Sequence, residues 1–392
     1  MIYVGIDVAK DKHDCCIVDS NGTILKDSLR IPNTRQGFEM LYTSILSFLP
    51  NKTISNVKIG LESTGHYSAN IQNYLYAKGF HLSVLNPLAT SLFRKAQTLR
   101  KTKTDKTDAL VIAKMLFSDD TKSYSPVSYQ IQELKSLTRH HYRLVGYRSK
   151  LKVSVTRLLD IIFPELATYV WSIHQPSVYA LLSEFPNPKE ISNCHLTKLT
   201  NLLYKATKGR YGIEKADEIR KAASSSIGTS TKSLSLELQQ TIRLIKSVQN
   251  EIVILDEQIK ELMIEIDSPI MSIPGISYNL ASIILSEIGD VHRFTNPAKL
   301  LAFAGLDPST YQSGKYNATY KPMVKRGSAY LRWAILMASR TVSMQDLTFS
   351  NYLAKKQGEG KHYYIAMSHV AKKLVRVIFY LLTTNTTFIP QI

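Results

Sequence analysis

Two apolar runs near the start of the chain each end in an acid. Tyr3-Val4-Gly5-Ile6-Asp7-Val8 carries Asp7, and Val57-Lys58-Ile59-Gly60-Leu61-Glu62 closes on Glu62. Strand-like patterns cover Ile2–Asp7, Asp14–Asp19, Thr23–Arg30, Val57–Glu62 and His81–Leu85. Asn21-Gly22 predicts a tight hairpin between the second and third of them. Helical spacing fills Gly37–Leu49, Tyr67–Lys78 and Asp105–Phe117. Three antiparallel strands followed by alternating helix and strand predict a mixed-sheet α/β domain over residues 1–125.

That alternation is of ribonuclease-H-like type. Beyond it, residues 126–268 read as helix. Gln130–Ile162 is long, basic and periodic and stops at Phe163-Pro164. Prolines and a serine run break Trp171–Ser235 into short helices and loops. Ile242, Ile245, Val248, Ile252, Leu255, Ile259, Leu262 and Ile266 then recur at spacings of three or four, a coiled-coil-like seam. The seam predicts pairing either with another chain or back onto Gln130–Ile162. Residues 269–392 form a mainly helical third unit. Ile273-Pro274-Gly275-Ile276 before an apolar helix resembles a helix-hairpin-helix turn, in which Gly275 would let backbone amides approach a phosphate.

Composition narrows the partners. The chain has 392 residues, 44% hydrophobic and 20% charged, as in a globular protein with real cores. A net charge of +18 points to a polyanion. Cys15, Cys16 and Cys194 supply neither a disulfide framework nor a zinc set, which fits a reducing cytoplasm. No leader is expected, and no uncharged apolar stretch approaches the ~20 residues that span a bilayer.

Candidate chemistry concentrates in two places. Asp105 and Asp108 are three apart at the start of a predicted helix, so their carboxylates share one face. With Asp7 and Glu62 they form an oxygen-donor set suited to divalent cations, and two such ions about 4 Å apart clamp both oxygens of a phosphodiester displacement. Thr104 is the expected N-cap. Arg94, Lys95, Arg100, Lys101, Lys103 and Lys106, interleaved with threonines, suit a nucleic-acid backbone. The second place is Ala304-Gly305-Leu306-Asp307-Pro308, then Ser313-Gly314-Lys315, Lys321, Lys325-Arg326-Gly327 and Leu331-Arg332. A serine on a sharp turn among cations can attack phosphorus, with Lys and Arg stabilising the developing charge. Ser309 lies four residues earlier in the same loop; the following glycine favours Ser313.

Taken in order, Gly5-Ile6-Asp7-Val8-Ala9-Lys10, Glu62-Ser63-Thr64-Gly65-His66-Tyr67, Thr104-Asp105-Lys106-Thr107-Asp108-Ala109, Ile273-Pro274-Gly275-Ile276, Ala304-Gly305-Leu306-Asp307-Pro308, Ser313-Gly314 and Lys325-Arg326-Gly327 with Leu331-Arg332 resemble the DEDD-type insertion-sequence transposases, the Piv-like, bridge-RNA-guided serine recombinases. The resemblance implies a RuvC-like N-terminal domain, a coiled-coil middle and a C-terminal transposase domain. It implies that Asp7, Glu62, Asp105 and Asp108 bind Mg²⁺, with Mn²⁺ as an alternative, and that Ser313 forms a covalent link to DNA. Lys315, Lys321, Lys325, Arg326 and Arg332 would contact nucleic acid. A structured guide RNA from the element pairs with donor and target DNA, leaving the protein to read shape and backbone. Family members are homo-oligomers, dimers assembling to tetramers in which one subunit's serine completes another's acidic site. They work in a bacterial or archaeal cytoplasm on nucleoid DNA, with no membrane partner.

Two other readings compete. A RuvC-like, purely metal-dependent nuclease would cut branched DNA without a covalent intermediate, and a non-catalytic nucleic-acid-binding protein would never break a strand. An actin-like sugar kinase fails, because Lys10-Asp11-Lys12 stands where its Gly-rich phosphate loop belongs.

Overall fold

Five strands build the sheet of the first unit in the order β3-β2-β1-β4-β5: β1 Ile2–Val8, β2 Lys12–Asp19, β3 Ile24–Pro32, β4 Val57–Glu62 and β5 His81–Leu85. β1, β2 and β3 run antiparallel, whereas β4 lies parallel to β1 and β5 parallel to β4. This is the mixed sheet expected. The computed structural model describes residues 1–49, 53–62, 66–97, 104–118, 128–309 and 322–390, with the backbone of 312–313 and 316–317. Its chain divides into two compact units, Met1–Pro126 and Val127–Ile392.

Alternation along the strands sorts the two faces of the sheet. Ile2, Val4, Ile6 and Val8 join Ile17, Ile59 and Leu61 in a buried core with helices α1 (Arg35–Ser47) and α2 (Ala69–Ala77). The opposite face carries Tyr3, Gly5 and Asp7 of β1. A separate helix, α3 (Pro87–Gln97), follows β5 where only a basic stretch was expected, and α4 (Asp105–Met115) packs across β1 and β2 on the Gly5 face. Cys15 and Cys16 fall on opposite faces, one in each core layer.

Two glycines set how closely α4 can approach. Gly5 and Gly60 are register partners on adjacent strands. A Cβ on Gly5 would lie 2.0 Å from the Ala109 carbonyl oxygen and 2.4 Å from the Ala113 nitrogen. One on Gly60 would lie 2.9 Å from Leu116 Cδ2. Helix backbone thus rests directly on sheet backbone.

In the second unit, α5 (Tyr129–Ile162) and α11 (Lys232–Ile266) pack along one another. They run antiparallel: His141 meets Asp256, Arg148 Nη1 donates to Gln249 at 2.5 Å, and Arg157 meets Glu237. Ile242, Ile245, Ile252, Leu255 and Ile259 of the predicted seam are buried. The seam therefore closes within the chain. Between them α6 (Leu166–Tyr169), α7 (Pro176–Glu184), α8 (Pro188–Asn193), α9 (Leu196–Thr207) and α10 (Ile213–Ser224) make a separate core at the far end, around Leu158, Leu181, Leu199, Ile219 and Leu238. At the near end α12 (Tyr278–Ile288), α13 (Pro297–Phe303), α14 (Ala329–Gln345), α15 (Leu347–Gly358) and α16 (Tyr363–Thr384) enclose another core, which takes in Leu134 and Ile259. Among the described residues no helix is long and apolar enough to cross a membrane.

A buried carboxylate ties this second core to α5. Glu287, 3% exposed, accepts from Arg139 Nε at 2.7 Å and from Arg139 Nη2 at 3.2 Å, and from Ser328 Oγ at 2.8 Å. Burial pushes its pKa up, but Arg139, Lys135 and Ser328 outweigh that and hold it below the usual carboxylate range. Arg139→Ala leaves the acid short of its main partner and is expected to destabilise the protein by about 2 kcal/mol, discounted for the partial exposure of the arginine. Chemical denaturation at neutral pH measures this.

Candidate active site

Asp7 is the centre of the acidic constellation. It stands near the end of β1, on the face that α4 covers. Burial, followed by the negative charges of Asp108, Asp105, Glu62 and Asp14, pushes its carboxyl up to about 6. Three of the acids singled out in the sequence, Asp108, Asp105 and Glu62, therefore lie close enough to the fourth to act on it electrostatically. Their placement has local causes. Glu62 ends β4, the parallel neighbour of β1. Thr104 caps α4, its hydroxyl accepting from Thr107 N at 3.2 Å while Thr107 Oγ1 accepts from Thr104 N at 3.0 Å. That reciprocal cap orders the turn bearing Asp105 and Asp108, where helix N-terminal amides favour negative charge.

A fifth acid, Asp14, was missed. It is the register partner of Asp7 on β2 and is 2% exposed. Its own partner on β3, Arg30, meets it through Nε at 3.1 Å. Asp7, Asp14 and Arg30 thus form a row across three strands on one face, within the few ångströms that separate cross-strand neighbours. The signal was present in the hairpin: folding residues 2–19 about their turn puts Asp14 opposite Asp7.

Arg94 reaches from the last turn of α3 to Asp108, Nη1 to Oδ1 at 2.7 Å. The two line a cleft of about 190 Å³ together with Glu62, Thr90 and Ser91. As they stand, no three His, Cys, Asp or Glu side chains among the described residues are grouped to hold one ion. The donor chemistry nevertheless fits a divalent cation: hard carboxylate oxygens from two strand ends and one helix start, with a central carboxyl unsettled by burial and by like charge.

The predicted basic residues divide by their surroundings. Lys95 is exposed on α3. Lys106 pairs with Asp27 of β3. Arg100, Lys101 and Lys103 lie outside the described residues, as do Lys315 and Lys321. Gly275, at φ +90°, turns its Cα toward α14, where a Cβ would lie 2.9 Å from the Thr341 carbonyl. Packing on that helix accounts for the glycine. Lys325 and Arg326 are exposed, Lys325 in left-handed backbone at φ +56°. Arg332 instead donates to the carbonyls of Lys325 at 3.0 Å and Ala304 at 3.4 Å, bracing the loop from inside.

Those contacts belong to the stem of a hairpin. Ser309 N donates to Pro322 O at 2.8 Å, Val324 N to Asp307 O at 3.0 Å and Ser328 N to Phe303 O at 2.9 Å. Beyond the stem, β6 (Gln312–Ser313) pairs antiparallel with β7 (Tyr316–Asn317), Ser313 opposite Tyr316. The backbone thus carries Ser313 near the tip and Ser309 in the stem.

Comparison with known proteins gives this geometry its context. Residues 4–164 match a transposase model of the DEDD, IS110 type, and residues 267–354 match that of the IS116/IS110/IS902 transposase family. The chain is 26% identical to the uncharacterized 44.8 kDa protein of insertion element IS116 from Streptomyces clavuligerus, over 99% of this chain and 96% of that one. It is 22% identical to the pilin gene-inverting protein of Moraxella bovis, over 100% and 98%. The transposase of insertion sequence IS1111A from Coxiella burnetii is 22% identical, over 86% and 77%. Among solved structures, Thermus thermophilus RuvC aligns with 32% of this chain and all of its own, at 13% identity and a TM-score of 0.24. With residues 4–164 and 267–354 matched in order, it belongs to the IS116/IS110/IS902 family of transposases, enzymes that cleave and rejoin DNA strands.

Proposed function

We propose that this transposase joins donor and target DNA under the direction of a structured guide RNA, by a metal-dependent attack of a serine on the phosphodiester. The observation that supports the metal-dependent part of the reading is the placement of Asp7, buried near the end of β1 with Asp108, Asp105 and Glu62 close enough to help push its carboxyl up to about 6. Such an arrangement is costly unless a cation offsets it. Asp7, Glu62, Asp105 and Asp108 would hold Mg²⁺ or Mn²⁺, and Asp14, fixed by Arg30, would add its negative charge beside Asp7. When bound, the divalent ion supplies charge neutralisation at the scissile phosphate.

The chain's own residues do the rest. The hydroxyl of Ser313 attacks phosphorus and the leaving oxygen departs, so the bond energy is kept in a serine phosphodiester for rejoining. Lys325 and Arg326, exposed at the foot of the hairpin, would hold backbone phosphates. With the RNA reading sequence by pairing, the +18 charge serves both nucleic acids without base contacts. The N-terminal sheet is taken as RuvC-like and the active form as a homo-oligomer.

The test is covalent capture. Protein incubated with labelled DNA, Mg²⁺ and the RNA transcribed beside its gene should carry label through denaturing electrophoresis, and Ser313→Ala should not. Free ends without any adduct would establish the metal-only nuclease instead; an adduct retained in Ser313→Ala but lost in Ser309→Ala would move the nucleophile.

A further inference from the structure

Arg94 contacts one member of the acid cluster rather than solvent. Its Nη1 lies 2.7 Å from Asp108 Oδ1, with the arginine side chain 24% exposed and the aspartate 14%. A charge-assisted bond at that burial is stronger than a surface ion pair. The guanidinium therefore stands at one carboxylate oxygen of an acid that would hold the cation. The pair opens on the cleft shared with Glu62, Thr90 and Ser91, and Lys95 follows on the exposed side of α3.

A guanidinium has two good partners, a carboxylate and a phosphate, and binds either through the same planar fork. A DNA strand entering the cleft offers phosphate oxygens. If Arg94 turns to one of them, Asp108 is released with its full negative charge beside Asp7.

We propose that Arg94 couples metal capture to DNA binding: it occupies Asp108 in the free protein and passes to a backbone phosphate when a strand arrives, freeing Asp108 for the cation. This rests on reading the acids as a metal site. Arg94 is then a positioning residue with two stations, and the coupling is reciprocal, because whatever metal does for DNA affinity DNA must do for metal affinity. Its use is to keep the cleavage centre unassembled until DNA is present.

The experiment is Mn²⁺ binding to the full-length protein followed by electron paramagnetic resonance, with and without a short duplex, after subtraction of binding to the duplex alone. In the wild type the duplex should tighten Mn²⁺ binding about tenfold, within the range of ordinary coupling energies. Arg94→Ala should bind Mn²⁺ about tenfold more tightly than wild type without DNA, and the duplex should add little. Arg94→Lys, which keeps the charge but not the fork, should fall between. A merely structural arginine predicts the opposite sign, since its loss would loosen the site. Mn²⁺ affinity that is unchanged or weaker in Arg94→Ala, or coupling to the duplex that survives in it, overturns the proposal. Absence of Mn²⁺ binding to every form, with and without DNA, overturns the metal reading itself and the coupling with it.

Discussion

Asp7→Asn is expected to lower strand cleavage by about a thousandfold or more while leaving the fold intact. The estimate follows from the several kcal/mol of charge stabilisation a bound divalent ion supplies, at 1.36 kcal/mol per tenfold in rate. Asn keeps the shape and one oxygen but removes the charge that would bind the ion. The same substitution carries a stability signature of opposite sign. The Asp7 carboxyl goes from an ordinary value of 3.8 to about 6 in the folded chain, so the folded state holds the extra proton between those values. Metal-free stability then falls as pH rises from about 4 to about 6, and the full penalty persists above that. After allowance for solvent screening, Asp7→Asn should be about 1–2 kcal/mol more stable than wild type at pH 8 in chelator, and equal to it below pH 4. Divalent cations should narrow the gap. Thermal unfolding at both pH values, beside a cleavage assay, checks both halves. A variant less stable than wild type at pH 8 in chelator would contradict the crowding of charge around Asp7.

Gly5→Val should destroy the site by another route. A Cβ at this position would sit 2.0 Å from the Ala109 carbonyl oxygen, far inside any contact distance. Because helix backbone, not a flexible side chain, is in the way, α4 must move as a body. Overpacking of this kind costs about 1–3 kcal/mol, and here the lift falls on the helix that carries Asp105 and Asp108. The expected result is a lower melting temperature together with cleavage below detection and metal binding weakened in parallel. Gly60→Ala, whose Cβ would meet only the side chains of Leu116 and Ile112, should be milder on both counts. Equal effects from the two would refute the close-packing account.

The sheet was legible because its strands announce themselves locally. Apolar runs, the Asn21-Gly22 turn and the Thr104 cap are short-range signals, and each matches an observed element. Strand β2 was harder: from His13 to Val18 it is buried on both faces, so alternation gave no guide to which side Asp14 takes. Helix α3 was overlooked because it buries so little: Thr90 is its one buried residue, while Leu88 and Leu92 are exposed. The seam of α11 was plain, but its partner was not, since periodicity says that a face is covered and never by what. Spacing alone could bring Asp105 and Asp108 together; that Arg94 pairs with Asp108 is a fact of tertiary structure.

The antiparallel pairing of α5 with α11 has a metric consequence. At 1.5 Å per residue, the 34 residues of α5 extend about 51 Å. A nucleic-acid duplex lying alongside would advance about fifteen base pairs between the two ends of that rod, at 3.4 Å each. Lengthening both helices by one turn would move the cores at the two ends of the rod apart by about 5.4 Å, the length of between one and two base pairs.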